Sequence, residues 1–98
     1  MAEYRLSNKA VEDLDSIWLY TFENWSEQQA DNYFNEILDA CKEIVGSDVN
    51  TDREYSSIKK GLYGHHCRRH IIFYRYSSGK NIDVIRILHE RMDFETKF

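Results

Sequence analysis

The sequence predicts an α+β fold: a short N-terminal strand and an antiparallel α-helical hairpin packed on a small, mainly antiparallel sheet, in the order β-α-α-β-β-β. Two observations carry this. Residues 69–92 contain two runs rich in β-branched and aromatic residues, His70-Ile-Ile-Phe-Tyr-Arg-Tyr76 and Ile82-Asp-Val-Ile-Arg-Ile-Leu-His89, joined by Ser77-Ser-Gly-Lys-Asn81. Such a pair around a short, Gly-containing link reads as a β-hairpin. Residues 8–45 carry two helical stripes of apolar residues separated by a very short link, which forces the helices to fold back on each other.

Both faces of the central hairpin are apolar. Ile71 and Phe73 lie opposite Ile72 and Tyr74, and Ile82 and Val84 are predicted to lie opposite Ile85 and Ile87. Strands of this kind must be covered on both sides. Arg75 and Arg86 interrupt the pattern and need an outlet to water or an acidic partner.

Tyr4-Arg-Leu6 is an extended segment, and Ser7 has the chemistry of an N-cap. The first helical stripe is Ala10, Val11, Leu14, Ile17, Trp18, Tyr20 and Phe22, with Glu12, Asp13 and Asp15 facing away and the end near Asn24-Trp25. Ser26-Glu-Gln-Gln29 has capping-box spacing and starts the second helix. Its stripe runs Ala30, Tyr33, Phe34, Ile37, Leu38, Cys41, Ile44 and Val45, closing at Gly46 in the position of a C-terminal cap. Residues 47–60 are polar and aperiodic and read as a surface loop. A strand follows over Leu62–His66, with a turn near Cys67 and Arg68. The tail after Met92 is too short for an element of its own, although Phe94 and Phe98 are able to pack on neighbours.

The chain has 98 residues, 42% of them apolar and 14% aromatic, as expected of one folded domain spanning residues 1–98. No apolar run approaches the ~20 residues of a membrane span, and the first residues lack the apolar core of a secretory signal, so a cytoplasmic protein is expected. Cys41 and Cys67 have neither metal-type nor redox spacing and read as reduced, structural residues. The net charge of −4 conceals a division: residues 1–54 hold thirteen Asp and Glu against four Lys and Arg, whereas residues 55–98 hold nine Lys and Arg against four Asp and Glu. An acidic total makes a poor general nucleic-acid binder but leaves a sided surface for a protein partner.

No Gly-rich phosphate loop or nucleophile elbow is present, and no Cys or His spacing resembles a zinc site. His65, His66 and His70 cluster around one turn, without an evident carboxylate to complete a metal site. The cations Lys59, Lys60, Arg68, Arg69, Arg75, Arg86 and Arg91, with His89, are the other candidate group. Metal-free RNA cleavage needs a base, an acid and cations at the phosphate, and Arg69, Arg75, Arg86 and His89 are the residues that could supply part of that set. The competing reading has Arg75 and Arg86 paired with helix carboxylates.

Five segments, Tyr4-Arg-Leu-Ser7, Lys9-Ala-Val-Glu-Asp-Leu-Asp15 with Ile17-Trp18, Gln29-Ala-Asp-Asn-Tyr33, Arg69-His-Ile-Ile-Phe-Tyr-Arg75 and Ile85-Arg-Ile-Leu-His-Glu-Arg-Met-Asp93, resemble the ParE toxins of the RelE/ParE superfamily, in the family's order. The resemblance implies a RelE/ParE-like toxin of a type II toxin-antitoxin module. Such a toxin poisons DNA gyrase, halting growth, and a ParD-like antitoxin wraps its helical hairpin and sheet to neutralise it. It implies no catalytic residues, cofactor or metal, no sequence-specific nucleic-acid binding and no membrane, with a homodimer or an antitoxin heterotetramer as the assembly. On this reading Arg86, His89, Arg91 and Met92 are the candidates for the gyrase contact, and Trp18, Phe22, Trp25, Tyr33 and Phe34 for the antitoxin contact. The alternatives are a RelE-like, ribosome-dependent messenger endoribonuclease using Arg69, Arg75, Arg86 and His89, and a degenerate, non-toxic relative. Two loop features depart from the family pattern: the chain has no proline, and Cys67-Arg-Arg69 stands where glycine is frequent.

Overall fold

The computed structural model describes residues 2–98, which form β1 (Tyr4–Leu6), α1 (Asn8–Asn24), α2 (Glu27–Gly46), β2 (Arg53–Glu54), β3 (Tyr63–Cys67), β4 (His70–Tyr76), β5 (Ile82–His89) and a short 3-10 helix (Phe94–Lys97). The five strands make one sheet in the order β1-β5-β4-β3-β2, with β1 parallel to β5 and every other pair antiparallel. The His70 and Ile82 strands are interior, as their two apolar faces require. Among the described residues, no helix is long and apolar enough to cross a membrane.

The helices begin where the sequence indicates. Ser7 Oγ accepts from Ala10 N–H at 3.0 Å and donates to the Ile85 carbonyl at 2.7 Å, so one hydroxyl caps α1 and ties it to the sheet. Ser26 Oγ accepts from Gln29 N–H at 3.1 Å and opens α2. At the far end Gly46 is the last helical residue, not a left-handed cap, and extended Ser47 follows it.

One face of the sheet is covered by the helical hairpin. Ala10, Leu14, Ile37, Ala40, Cys41 and Ile44 are buried against Ile72, Tyr74, Ile82, Val84 and Ile87. Burial of this extent is the main stabilising term of the fold. Cys41 is fully buried, which pushes its thiol up to about 12.

Residues 55–62 and the C-terminal tail cover the opposite face: Tyr55, Leu62, Ile71, Phe73 and Leu88 are buried together, with Ile58, Ile85 and Phe94 packed on them. Segment 47–60 is therefore more than a surface loop. Arg53–Glu54 adds a fifth strand, and Tyr55 turns inward because Phe73 and Ile71 would otherwise face water. The tail likewise winds into a helical turn that the sequence pattern is too short to reveal.

Ile87 lies on the helix-facing side with Ile82 and Val84, not opposite them. The register changes from Phe73↔Arg86 to Tyr74↔Val84, so Ile85 is an unpaired bulge residue and the inward parity switches along β5. The β3–β4 link is a two-residue turn in which Arg68 adopts a positive φ of 55°. Where glycine would be unstrained, the arginine fork is held by both carboxylate oxygens of Glu36.

Gly64 is required for a different reason. A Cβ at this buried position would stand 2.5 Å from Tyr55 Cε1 and 2.9 Å from Ile71 Cγ2. Gly64→Ala is expected to destabilise by about 1–3 kcal/mol through overpacking, read as a lower urea midpoint at unchanged slope. A midpoint equal to wild type would show that the Tyr55 segment yields freely.

Candidate functional site

The far end of β5 carries the polar features of the molecule, and three surfaces meet there. The edge of β5 beyond β1 comes first. Because β1 pairs only as far as Val84, the following backbone groups of β5 need other partners. Asp13 supplies one: its Oδ2 accepts from Ile87 N–H at 3.0 Å. The same carboxylate receives a bidentate fork from Arg86, Nε at 2.8 Å and Nη2 at 2.9 Å, while Nη1 donates to the Lys97 carbonyl at 3.0 Å. The side chains of Arg86 and Asp13 are only 15% and 14% exposed. Asp13 therefore faces the sheet and not water, and its hydrogen bond raises the Arg86 pKa further.

The second surface is a cleft of about 780 Å³ where the link between the helices overhangs the β3–β4 turn and the end of β5. Tyr20, Trp25, Arg69 and His89 line it, together with Tyr33 of α2 and His70 of β4. The Tyr33 hydroxyl and His70 Nδ1 are 2.6 Å apart, and the hydroxyl lies 3.3 Å from the Cys67 carbonyl. Both contacts are satisfied when His70 Nδ1–H donates to the phenol oxygen and the phenol donates onward to Cys67. The His89 ring meets His70 edge to face at 5.3 Å, and its Nδ1 accepts from Arg91 N–H at 3.1 Å. Burial, with His89 adding a smaller push, lowers the His70 pKa to about 4. Burial also raises Tyr33 to about 12.

His70 therefore binds fewer protons folded than unfolded. Its contribution is complete above the ordinary imidazole value of about 6.5 and is lost as pH falls toward 4. Solvent screening of the partly buried ring leaves on the order of 1 kcal/mol lost between pH 7 and pH 5. A melting series over that range should flatten in His70→Gln; parallel wild-type and variant curves would remove His70 as the source.

The third surface is a hollow of about 630 Å³ on the opposite side of the sheet, lined by Arg53, Tyr55, His66, Arg91, Met92 and Phe94 among others. The strand-end group is thus divided. Arg91 and Met92 are exposed at this hollow, His89 belongs to the cleft, and Arg86 is held at the edge by Asp13. The ribonuclease set divides too: Arg69 joins His89 in the cleft, whereas exposed Arg75 stands opposite Asp83 on the sheet and Arg86 stays at the edge. The histidine cluster does not converge: His65 Nδ1 is 2.9 Å from Asp52, a carboxylate the sequence pattern does not reveal, while His66 faces the hollow and His70 binds Tyr33.

The aromatic candidates on the helices separate by depth. Trp18 is half-buried, stacks on Phe22 with centroids 5.2 Å apart and planes 8° from parallel, and donates from Nε1 to Asp31 at 2.9 Å. Trp25 is 71% exposed, whereas Tyr33 and Phe34 pack against the core. The pairing of Arg86 with a helix carboxylate holds, through Asp13, which spacing alone had set facing away, whereas among the described residues Arg75 forms no such ion pair. Sequence reasoning missed Asp52 and the Tyr33–His70 pair, neither of which left a local signal.

Residues 4–94 match the family model of the ParE toxin of the type II toxin-antitoxin system, parDE. The chain belongs to the ParE toxin family. It is 33% identical over 93 residues to Toxin ParE1 of Caulobacter vibrioides, covering 95% of this chain and 94% of that one. Toxin ParE1 of Mycobacterium tuberculosis is 32% identical over 94 residues, covering 96% and 95% of the two chains. Toxin ParE of Escherichia coli is 28% identical over 97 residues, covering 99% and 93%. A solved structure described as the chromosomal ParDE TA system from P. aeruginosa superposes with a TM-score of 0.74 at 21% identity, covering 91% of this chain and 96% of that one, and shares the fold. Family membership makes this chain a ParE-type toxin, and the expected two-helix, mainly antiparallel architecture stands, with a two-residue fifth strand added at the sheet edge.

Proposed function

We propose that this ParE-type toxin is a non-enzymatic poison of DNA gyrase, acting in the cytoplasm and neutralised by a ParD-like antitoxin. The observation that carries the reading is the match to ParE toxins over residues 4–94. The net charge of −4 also suits a protein target better than RNA. Poisoning shifts populations: the toxin must bind the cleaved gyrase complex more tightly than the resting enzyme. Arg91 and Met92, exposed beside the tail, are the proposed gyrase contacts together with His89. Arg86 acts behind them as a positioning residue, since its fork is occupied by Asp13 and its third donor by the tail.

The test is a cleavage assay with purified gyrase, plasmid and ATP. Linear, protein-linked DNA should accumulate with the toxin and disappear when the antitoxin is added. Arg91→Glu combined with Met92→Ala should cut the cleaved product by about tenfold or more, the scale of losing contact residues, while leaving the melting temperature near wild type. Unchanged gyrase activity with a folded protein would overturn the reading.

One observation favours the ribonuclease alternative: Arg69, His70, His89 and Tyr33 share a cleft able to hold a phosphate and a proton donor. A ribosome-dependent messenger cleavage assay on wild type and His89→Ala separates the two. Cleavage abolished by the substitution would favour the ribonuclease, and intact messenger would remove it.

A further inference from the structure

Where the two helices meet, two large aromatic side chains stand in water. Tyr20 is 65% exposed and Trp25, the residue that closes α1, is 71% exposed, and both line the cleft of about 780 Å³. Neither belongs to the two buried clusters of the fold. Rings left exposed around a concavity of this size mark a ligand surface.

The charge inside the cleft differs from that of the helices around it. Residues 8–46 contain nine Asp and Glu against only Lys9 and Lys42, yet Glu36 is the one carboxylate among the described residues that lines the cleft. Both its oxygens are taken by the Arg68 fork. Arg69, exposed and next in the chain, has no carboxylate partner among the described residues, so its guanidinium is the uncompensated charge of the cleft.

Backbone pairing sets a second donor beside it. The Arg69 carbonyl accepts from Glu90 N–H at 2.9 Å, and His70 stands opposite His89 in the strand register. Because His89 Nδ1 accepts from Arg91 N–H, the neutral ring carries its proton on Nε2, and that nitrogen is left to donate. A guanidinium fork and an imidazole N–H together match the several oxygens of a phosphate monoester.

We propose that this cleft binds a free purine nucleoside 5'-monophosphate, its phosphate held by Arg69 and His89 Nε2–H and its base seated on Tyr20 and Trp25. The planar base gains from stacking on aromatic rings, and the phosphate answers the unpaired charge. One uncompensated cation suits a single nucleotide. A polynucleotide would carry further phosphates onto the acidic helices, and a second copy of this chain would bring the same acidic surface to them. The site adds a small ligand to the molecule and stands whether or not gyrase is the target.

The experiment is calorimetric titration of the full-length protein at low salt with adenosine 5'-monophosphate, adenosine and inorganic phosphate in turn. The nucleotide should bind at least about tenfold more tightly than either of its parts, with the gap to adenosine narrowing as salt screens the phosphate. Arg69→Gln should bring the nucleotide down to the level of adenosine, and Trp25→Ala should bring it toward that of inorganic phosphate. Both positions are exposed, and the melting curve of each variant checks its folding. A nucleotide that binds no better than adenosine or phosphate, or that binds Arg69→Gln as well as wild type, would overturn the inference. Two further ligands test the choice of occupant. A short 5'-phosphorylated single-stranded oligonucleotide should bind more weakly than the mononucleotide, and tighter binding would give the cleft to a polynucleotide instead. N-acetyltryptophan, a planar ring with a carboxylate, should also bind more weakly, and affinity equal to that of the nucleotide would remove the phosphate from the recognition.

Discussion

Arg86→Ala is expected to lower stability by about 2–3 kcal/mol, between the small worth of a surface pair and the 3–5 kcal/mol of a fully buried one. Its loss strands the Asp13 carboxylate, whose side chain is 14% exposed, with one remaining donor, Ile87 N–H, and frees the Lys97 carbonyl. For a domain of this size that is a fall of roughly 10–20 °C in melting temperature. Asp13→Ala removes the acceptor of Ile87 N–H as well and should cost at least as much. The double variant should lose about 1–2 kcal/mol less than the sum of the two, the signature of a direct pair. Strict additivity would mean that each residue acts through separate neighbours. Arg86→Lys keeps the charge without the planar fork and separates position from contact. If Arg86 only positions the strand end, this variant loses gyrase poisoning in proportion to its lost stability. Full stability with lost poisoning would instead make Arg86 a contact.

What the sequence could show follows from the range over which each signal acts. Helical and strand periods are local, and so are the hydroxyl caps at Ser7 and Ser26; these elements read out correctly. The apolar character of both faces of residues 70–76 also required a second cover, but its source was hidden, because Tyr55 and Ile58 are two of only three apolar residues in the stretch 47–60, and the third, Val49, is exposed. The Ile85 bulge carries no glycine or proline, so strict alternation assigned Ile87 to the wrong face. Asp13 lies on the polar flank of α1 by spacing alone, one turn before Ile17. Only the incomplete pairing of β5 with β1 creates the backbone donor that draws it inward. The cleft was least visible of all, since Tyr33 and His70 are 37 residues apart and nothing local to either announces the other.

Phe73→Ala is expected to be the most damaging single truncation on the tail side, costing about 3–5 kcal/mol. Phe73 is fully buried and forms the hub of an aromatic cluster, with Tyr55 at 5.1 Å, Phe94 at 5.0 Å and Phe98 at 5.2 Å, each ring near edge-to-face. Those partners come from the Tyr55 segment and from the C-terminal tail, neither of which belongs to a long element. The cavity would therefore form under the two least self-supporting pieces of the chain. Two attachments hold the tail, this cluster and the Arg86 bond to Lys97, and Arg91 and Met92 lead directly into it. In Phe73→Ala the tail should be trimmed by carboxypeptidase many times faster under native conditions, before global unfolding, because local opening needs less free energy than the whole fold. Phe94→Ala, at a half-buried ring, should show the same accelerated trimming with a smaller loss of stability. If Phe73→Ala lowers the urea midpoint while the tail is trimmed at the wild-type rate, the tail is held by Arg86 alone, and the link from the aromatic cluster to the proposed gyrase contacts Arg91 and Met92 fails.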